Sequence, residues 1–531
     1  MALAPRPAAT LIVLRDSPDG PQVLMMQRAK ASVFLGGAYV YPGGSLDAAD
    51  SNPKRILGKS EENLVPYRIA AVRECFEESG ILLLVDAAGR EIAPERAEAL
   101  MRHRKDSFAE LLEREDLYVP AERLALYGHW ITAPGAPRRF DTRFFIARAP
   151  AGQEGSHDER EAVHQIWVTP REALARAENK EIDLVFATRT TLTHLATFAT
   201  AADAFAYARD LKEVETNRAC WAQGKDGPKL FRRADAAYFE IHWADPDETG
   251  QSTYDLTPGV PKKLDRRVTR LIAPNPGMMT GPGTNTYLVG DENGMAVIDP
   301  GPAIESHLAK ILEFPNIRWI LCTHTHLDHS PAAAAIQAAT GAQVMGRPAP
   351  SGQDATFRPD RVLDHGDRVR MGPLTMRALH TPGHASNHLC YLLEETRMLF
   401  TGDHVMQGST VVINPPDGDM RAYLASLGRL LEEDLAILAP GHGYLIGDPH
   451  RELRRLIAHR LGREKKVVAG LVRLGEASLE ELVPVVYDDV PARLHGWAAR
   501  SLTAHLEKLV TEGAVRSGSG RYALVKSASP R

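Results

Sequence analysis

The sequence predicts a multidomain α/β and α+β chain, with one αβ domain over residues 5–210, a connecting segment over 211–262, a second αβ domain over 263–450 and a small helix-and-hairpin module over 451–526. Three observations carry this. Strand and helix patterns alternate in two long stretches, on either side of a segment that has neither. Each αβ stretch holds its own cluster of metal-ligating residue types. At 531 residues the chain is also too long for one ordinary domain.

Composition narrows the class. Hydrophobic residues make 44% and charged residues 25% of the chain, values that allow large cores and exclude a disordered protein. A net charge of -5 gives no electrostatic reason to expect a nucleic acid or membrane partner for the whole chain. The four cysteines, Cys75, Cys220, Cys322 and Cys390, form no CxxC pair. That argues against a disulfide framework or thiolate zinc site and for a reducing, cytoplasmic location. The apolar run near the start is too short for a signal-peptide core, and no run approaches the ~18–20 residues of a membrane helix.

Residues 8–28 read as two strands, ATLIVL and QVLMMQR, joined by the turn-rich DSPDGP. From Tyr67 to Ser79, apolar Ile69, Val72, Cys75 and Phe76 recur at helical spacing, and Gly80 stops the helix. Strand-like LYGHWITA and RRFDTRFFIARA follow, then helical patterns to about residue 210. From about 241 to 266 the chain is rich in Pro, Gly, Asp and Thr without apolar periodicity, as in an extended connection. A second series begins at RLIAP and runs through TNTYLVG, MAVIDPG, IRWILCTH, AQVMG, TMRAL, CYLLE and RMLFTGD, with Ala- and Leu-rich helices between. Beyond residue 451 the pattern is helical, closing in a hairpin that turns at Gly518 and Gly520.

In RECFEESGI, Glu74, Glu77 and Glu78 stand at i, i+3 and i+4, so one helix face carries three carboxylates. A divalent cation with oxygen ligands would relieve their repulsion; taken alone, the same run also describes a solvated acidic face. RECFEESGI resembles the second half of the Nudix box at every fixed position, and Tyr41-Pro42-Gly43-Gly44 resembles its opening turn. Asp50, six residues after Gly44, stands where the box has its first Glu. Twenty-two residues separate Asp50 from Arg73, an insertion similar to that of the peroxisomal Nudix branch, whose members act on coenzyme A derivatives. Arg28 and Gly37 fit the coenzyme A signature, whereas Val33 stands where a second Arg is expected. The resemblance implies a Nudix αβα sandwich that cleaves a nucleoside- or coenzyme A-linked diphosphate. It also implies Glu77 and Glu78 as ligands of Mg²⁺ or Mn²⁺, Glu74 as ligand or base, Arg73 orienting a carboxylate and Arg28 in substrate binding.

The second cluster begins at WILCTHTHLDHS, where histidines follow an apolar run of strand length; αβ sheets place their chemistry at such ends. His324 and His326 can reach one ion, Asp328 and His329 another. His384 lies in a Gly turn, Asp403 follows the strand MLFTGD, and His442 follows LAILAPGHG. Five histidines and two aspartates suit zinc or another imidazole-preferring metal. The ordered set H-x-H-x-D-H, PGH, TGD and PGHG resembles the metallo-β-lactamase superfamily motif for motif, and implies an αββα sandwich. By that resemblance His324, His326 and His384 hold one Zn²⁺, Asp328, His329 and His442 hold a second, and Asp403 bridges them. A water between the ions becomes the nucleophile, with Asp328 and Asp403 as the catalytic carboxylates. His388 is read as a substrate contact, with a structural role as the alternative. Asn275-Pro276-Gly277 and Gly283-Thr284-Asn285-Thr286 are similar to the opening of the lactamase-like-2 subgroup, which includes RNA-cleaving members.

Residues 451–531 hold fifteen Lys and Arg against nine Asp and Glu, and helix, helix, hairpin resembles a winged helix. The tail is either a clamp for nucleic acid, RNA included, or for an anionic substrate, through Arg500, Lys508, Arg516 and Arg521, or a helical module that covers the active-site rim or a dimer contact, its charges solvated. Three functions follow: a bifunctional hydrolase of a diphosphate and of an ester, thioester or phosphodiester; a hydrolase active only in the rear, with the Nudix domain binding a nucleotide or coenzyme A derivative; and a non-enzymatic nucleic acid binder, which the full ligand set opposes.

Overall fold

The computed structural model describes residues 3–29, 36–155 and 162–525. Val33 and the expected end of the tail module at Lys526 lie outside the described residues. The chain divides into two units, Met1–Trp221 with Leu230–Arg233, and Ala222–Lys229 with Ala234–Arg531.

Unit 1 is built on β1 (Arg6–Ser17), which pairs antiparallel with β2 (Gly20–Arg28) and β3 (Gly43–Ser45). Helix α1 (Val65–Ser79) follows and ends where Gly80 takes the left-handed conformation, its N–H donating to Phe76 O. Strand β4 (Ala125–Ile131) is antiparallel to β5 (Phe140–Arg148), which lies parallel to β1, and β6 (Ala162–Val168) pairs with β2. Alternation along β1 feeds two cores. Ala9, Leu11 and Val13 pack with Ile69, Val72 and Phe76 of α1 on one face. Ile12 and Leu14 pack on the other with Leu192 and Leu195 of α2 (Phe186–Leu195) and Ala204 and Ala208 of α3 (Ala201–Asp210). Helices on both sides of a mixed sheet make this an αβα sandwich.

Unit 2 opens with α4 (Tyr238–Ala244), inside the segment the sequence reads as an extended connection. Fully buried Glu240 accepts from Arg270 Nη1 and Nη2 at 2.5 and 2.9 Å, from Lys262 Nζ at 2.6 Å and from Leu445 N at 3.0 Å. Burial disfavours its charge, but the two cations outweigh that and hold its pKa below the ordinary carboxylate value. A seven-residue helix that buries a carboxylate paired with two cations is too short to show an apolar period in the sequence.

The first sheet runs β7 (Lys262–Lys263), β8 (Val268–Ile272), β9 (Asn285–Asp291), β10 (Gly294–Ile298), β11 (Ile317–Leu321), β12 (Gln343–Gly346) and β13 (Arg361–Val362). Helices α5 (Glu305–Leu312) and α6 (Ala333–Thr340) cover its outer face. The second sheet runs β14 (Arg368–Met371), β15 (Leu374–His380), β16 (Leu389–Leu393), β17 (Met398–Gly402) and β18 (Ile437–Pro440), with α7 (Met420–Leu430) outside. Leu389, Tyr391 and Leu393 point into the core shared by both sheets, while Cys390 and Leu392 face α7. Burial on both faces explains why CYLLE reads as a continuous apolar run, each such side chain contributing roughly 1.5–3 kcal/mol.

The chain ends in α8 (Pro449–Leu474), β19 (Glu476–Ser478), α9 (Leu479–Val486), α10 (His495–Thr511) and the hairpin β20 (Val515–Gly518) and β21 (Arg521–Leu524). Val467, Leu482, Leu502, Leu506 and Val515 form its own core, that of a winged helix. No helix of the described residues is long and apolar enough to cross a membrane.

Candidate metal centre

Every predicted rear ligand follows the C-terminal end of a strand: His324, His326, Asp328 and His329 after β11, His384 after β15, Asp403 after β17 and His442 after β18. The fold brings them together as two groups whose ligand atoms lie within 4.8 Å of one another, His324 with His326 and His384, and Asp328 with His329, Asp403 and His442. In the first group, His326 Nδ1 lies 2.9 Å from His324 Nε2 and 3.1 Å from His384 Nε2. In the second, His442 Nε2 is 3.4 Å from Asp328 Oδ2 and 3.3 Å from Asp403 Oδ1, and His329 Nε2 is 3.5 Å from each of the same oxygens. Asp403 Oδ2 turns the other way, 3.8 Å from His384 Nε2.

A cation fits this geometry. Ligands at ~2.0–2.1 Å from a tetrahedral zinc stand about 3.3–3.4 Å apart, close to the spacings of the second group. His329 Nε2, His442 Nε2 and Asp403 Oδ1 are buried without hydrogen-bond partners, the condition of donors shaped for an ion. Gly441 is required beside them, because a Cβ there would meet Asp403 Oδ1 at 2.7 Å and His329 Cε1 at 2.8 Å.

The outer nitrogens are fixed by a layer that sequence reasoning did not single out. Asp299, at the end of β10 with φ 49, accepts from Thr323 N at 2.7 Å, Thr323 Oγ1 at 2.8 Å and His329 Nδ1 at 2.9 Å. Thr323 Oγ1 therefore accepts from His324 Nδ1, 3.0 Å away. His384 Nδ1 donates to Val412 O at 2.9 Å and His442 Nδ1 to Gly283 O at 3.2 Å. Each of these partners holds a hydrogen on Nδ1 and leaves the Nε2 lone pair facing the centre. The only sequence signal for Asp299 was its place directly after an apolar strand, in MAVIDPG.

Electrostatics divides the two groups. Burial, then neighbouring imidazoles, pushes His324 well below the ordinary imidazole pKa and His326 down to about 4, which favours the neutral imidazole that a metal would require. Burial also opposes charge on His329 and His442, but the carboxylates around them prevail, lifting His442 to about 9 and His329 well above its usual value. Those imidazoles hold Asp403 well below the usual carboxylate range against its burial. Two carboxylates thus demand positive charge where the second group converges. His388, the expected substrate contact, is fully buried and stacks on His324 with centroids 5.0 Å apart, its Nδ1 3.0 Å from Thr381 Oγ1.

The front cluster is arranged otherwise. Arg73 Nε and Nη2 each lie 3.1 Å from an oxygen of buried Asp50, and Nη2 also donates to Ser45 O at 2.8 Å. The insertion therefore still returns Asp50 to Arg73. Arg73 Nη1 donates to Glu74 Oε1 at 2.9 Å and Glu77 Oε2 at 3.2 Å. Glu78 Oε2 accepts from Gly43 N at 3.0 Å, and a Cβ on Gly44 would collide with the Glu74 carboxylate. Burial raises the Glu77 pKa, with Arg73 opposing. Among the described residues the three glutamates do not converge as a ligand group of the kind found in unit 2. Arg28 ends β2 half-buried, its Nε without a hydrogen-bond partner.

The tail cations proposed to contact phosphate are engaged within the module. Arg516 Nη2 lies 3.2 Å from Glu476, Arg521 Nη2 2.9 Å from Glu481, and Lys508 Nζ 2.8 Å from Glu464, while the Arg500 guanidinium lies 4.5 Å from the centre of the Trp497 ring.

Comparison with known proteins follows the same order along the chain. The NUDT19 Nudix domain model matches residues 53–188, the metallo-beta-lactamase superfamily model residues 279–442 and the beta-lactamase associated winged helix domain model residues 478–522. An atrochrysone carboxyl ACP thioesterase of Aspergillus chevalieri is 32% identical over 281 residues, covering 49% of this chain and 86% of the relative. A beta-lactamase-like protein 2 homolog of Drosophila melanogaster is 32% identical over 280 residues, covering 49% and 93%. A solved NUDIX hydrolase from Alicyclobacillus acidocaldarius has 30% identity and a TM-score of 0.35, covering 38% of this chain and 96% of its own.

Proposed function

Because this chain belongs to the metallo-beta-lactamase superfamily, with a NUDT19-type Nudix domain ahead of that fold and an associated winged helix behind it, we propose that unit 2 is a dinuclear metallohydrolase acting on a thioester. The observation that carries the dinuclear reading is Asp403, whose two oxygens face different ligand groups. His324, His326 and His384 would hold one cation, Asp328, His329 and His442 the other, and Asp403 both; zinc suits the donor set. Bound there, two such ions supply Lewis-acid polarisation of the scissile carbonyl and a water acidified toward neutral pH. Asp328, the more exposed carboxylate of the second group, orients the attacking water and takes up its proton. Asp299 keeps His329 and, through Thr323, His324 in the ligating tautomer. Buried beneath His324, His388 suits a positioning role better than substrate contact. Thioester cleavage is favoured over phosphodiester cleavage by the relative's name and by the internal pairing of the tail cations.

The proposed domain limits are 5–210 for the Nudix domain, 263–450 for the hydrolase sandwich and 451–526 for the winged helix, with 211–262 connecting them and supplying α4 to unit 2. For the Nudix domain one observation favours a ligand-binding module over a diphosphatase: Glu77, one of the two carboxylates expected to hold Mg²⁺ or Mn²⁺, and Glu74 both accept from Arg73, while Glu78, the other, accepts from Gly43 N. A panel of thioesters, RNA and nucleoside or coenzyme A diphosphates, assayed with wild type, Asp403→Ala and Glu77→Gln, tests both readings. Thioester cleavage lost only in Asp403→Ala, with no diphosphate cleavage, is the expected outcome. Diphosphate cleavage lost in Glu77→Gln would replace the module reading with a bifunctional one.

A further inference from the structure

We propose that Leu327, Met278 and Met279 form an apolar rim at the metal centre that selects substrates whose acyl group is an apolar chain; this rests on the hydrolase reading of unit 2 and names its substrate class. Leu327 lies between His326, a ligand of the first group, and Asp328, a ligand of the second. Its neighbours turn inward, whereas Leu327 is 70% exposed. The hydrogen bond from His329 N to His326 O, 2.9 Å, closes the turn that presents it.

The methionines stand on another loop, whose base is tied to the ligands. Gly277 and Gly281 bond reciprocally, at 3.1 and 2.8 Å, and close a small hairpin tipped by Met278 and Met279, which are 79% and 44% exposed. The base of that loop is held to the ligands. Thr284 N donates to Asn275 Oδ1 at 2.9 Å, Thr284 forms a bridge with His442, and Gly283 O accepts from His442 Nδ1. One apolar side chain is thus a single peptide link from two ligands, and two others cap a loop hydrogen-bonded to a third. In this proposal a substrate whose carbonyl reaches the ligands lays its acyl group along these side chains.

Unpaired apolar side chains at such a place contribute only when a ligand covers them. The two segments also lack the cations that hold a phosphate backbone: residues 275–284, NPGMMTGPGT, and 325–327, THL, contain no lysine or arginine. Each methylene buried is worth up to about fourfold in binding, so selectivity should grow with chain length.

The test uses the full chain loaded with zinc and N-acetylcysteamine thioesters from acetyl to decanoyl. Wild-type kcat/KM should rise at least tenfold from butanoyl to decanoyl. In Met278→Ser/Met279→Ser/Leu327→Ser that rise should fall below threefold with zinc content intact, whereas Val362→Ser, an exposed apolar control on β13, should keep it. A flat wild-type series, or an unchanged rise in the triple variant, overturns the rim. Hydrolysis of none of the thioesters would strike the underlying hydrolase reading instead. The rim then stands or falls on calorimetry with decanoate and acetate: tighter decanoate binding, lost in the triple variant, supports it, and equal or absent binding of the two overturns it.

Discussion

Two regions of this molecule collect carboxylates at an αβ fold and neutralise them by different means. In unit 2, Asp328 and Asp403 face His329 and His442, whose Nε2 atoms have no hydrogen-bond partner. In unit 1, Glu74 and Glu77 share the guanidinium of Arg73, which is itself gripped by Asp50. The rear carboxylates meet two imidazoles, which can give up a proton to make way for an ion, while the front glutamates meet a guanidinium of their own helix, which cannot. Acidic residues at metal-ligand spacing are therefore an incomplete criterion; what matters is whether the counter-charge the fold furnishes can be exchanged for an ion.

The largest effect that could break this contrast belongs to Asp403. Asp403→Ala removes an oxygen from both groups at once, so activity should fall by more than the roughly 10–100-fold that outer partners of metal ligands contribute. Zinc stoichiometry, measured by elemental analysis after dialysis, should drop with it. Retention of two tightly held ions would show that Asp403 is not shared between sites. Next comes Arg73→Gln. Breaking a buried pair from one side costs about 3–5 kcal/mol, because buried Asp50 keeps the hydrogen bond from Asp47 N but loses its counter-ion, so the thermal transition of unit 1 should fall sharply. Added Mn²⁺ should restore part of that loss in the variant and little in wild type, since only the variant lacks the internal cation. An equal response to Mn²⁺ in both proteins would erase the distinction between the two sites.

Asp299→Asn probes the layer behind the rear ligands. The amide cannot accept from Thr323 and His329 as the carboxylate does, so zinc affinity should weaken about 10–100-fold, read by competition with a chromophoric chelator. Unchanged affinity would mean that the imidazoles hold their tautomers unaided.

These residues also mark what could and could not be read in the sequence. His324, His326, Asp328 and His329 were legible because a strand end and its turn keep them within six residues of one another. His384, Asp403 and His442 were legible because each follows its own apolar strand. ATLIVL was legible as a strand from its apolar run, but that its two faces serve two separate cores was not. Asp299 was not, since its role depends on a left-handed backbone and on Thr323, 24 residues away. Arg73 could be expected to orient a carboxylate, but not to occupy Glu74 and Glu77 together. Glu240 lay in the stretch read as a connecting segment, and only tertiary structure shows a single carboxylate meeting two cations there.

The smallest predicted effect concerns the tail, where a surplus of positive charge suggested a phosphate-binding surface. Arg516 and Arg521 each pair with a glutamate of the same module, Glu476 and Glu481, at exposed positions where such pairs contribute about 0.2–1 kcal/mol. Arg516→Ala with Arg521→Ala should therefore shift the denaturation midpoint of unit 2 only slightly. It should also leave binding of single-stranded RNA at 50 mM salt where it is in wild type. Cations already matched within the fold cannot release many counterions on meeting a phosphate backbone, so the salt dependence should be shallow to begin with. A steep wild-type salt slope that flattens in the double variant would reverse this, making the tail a nucleic acid surface and reopening the phosphodiester reading of the centre beside it.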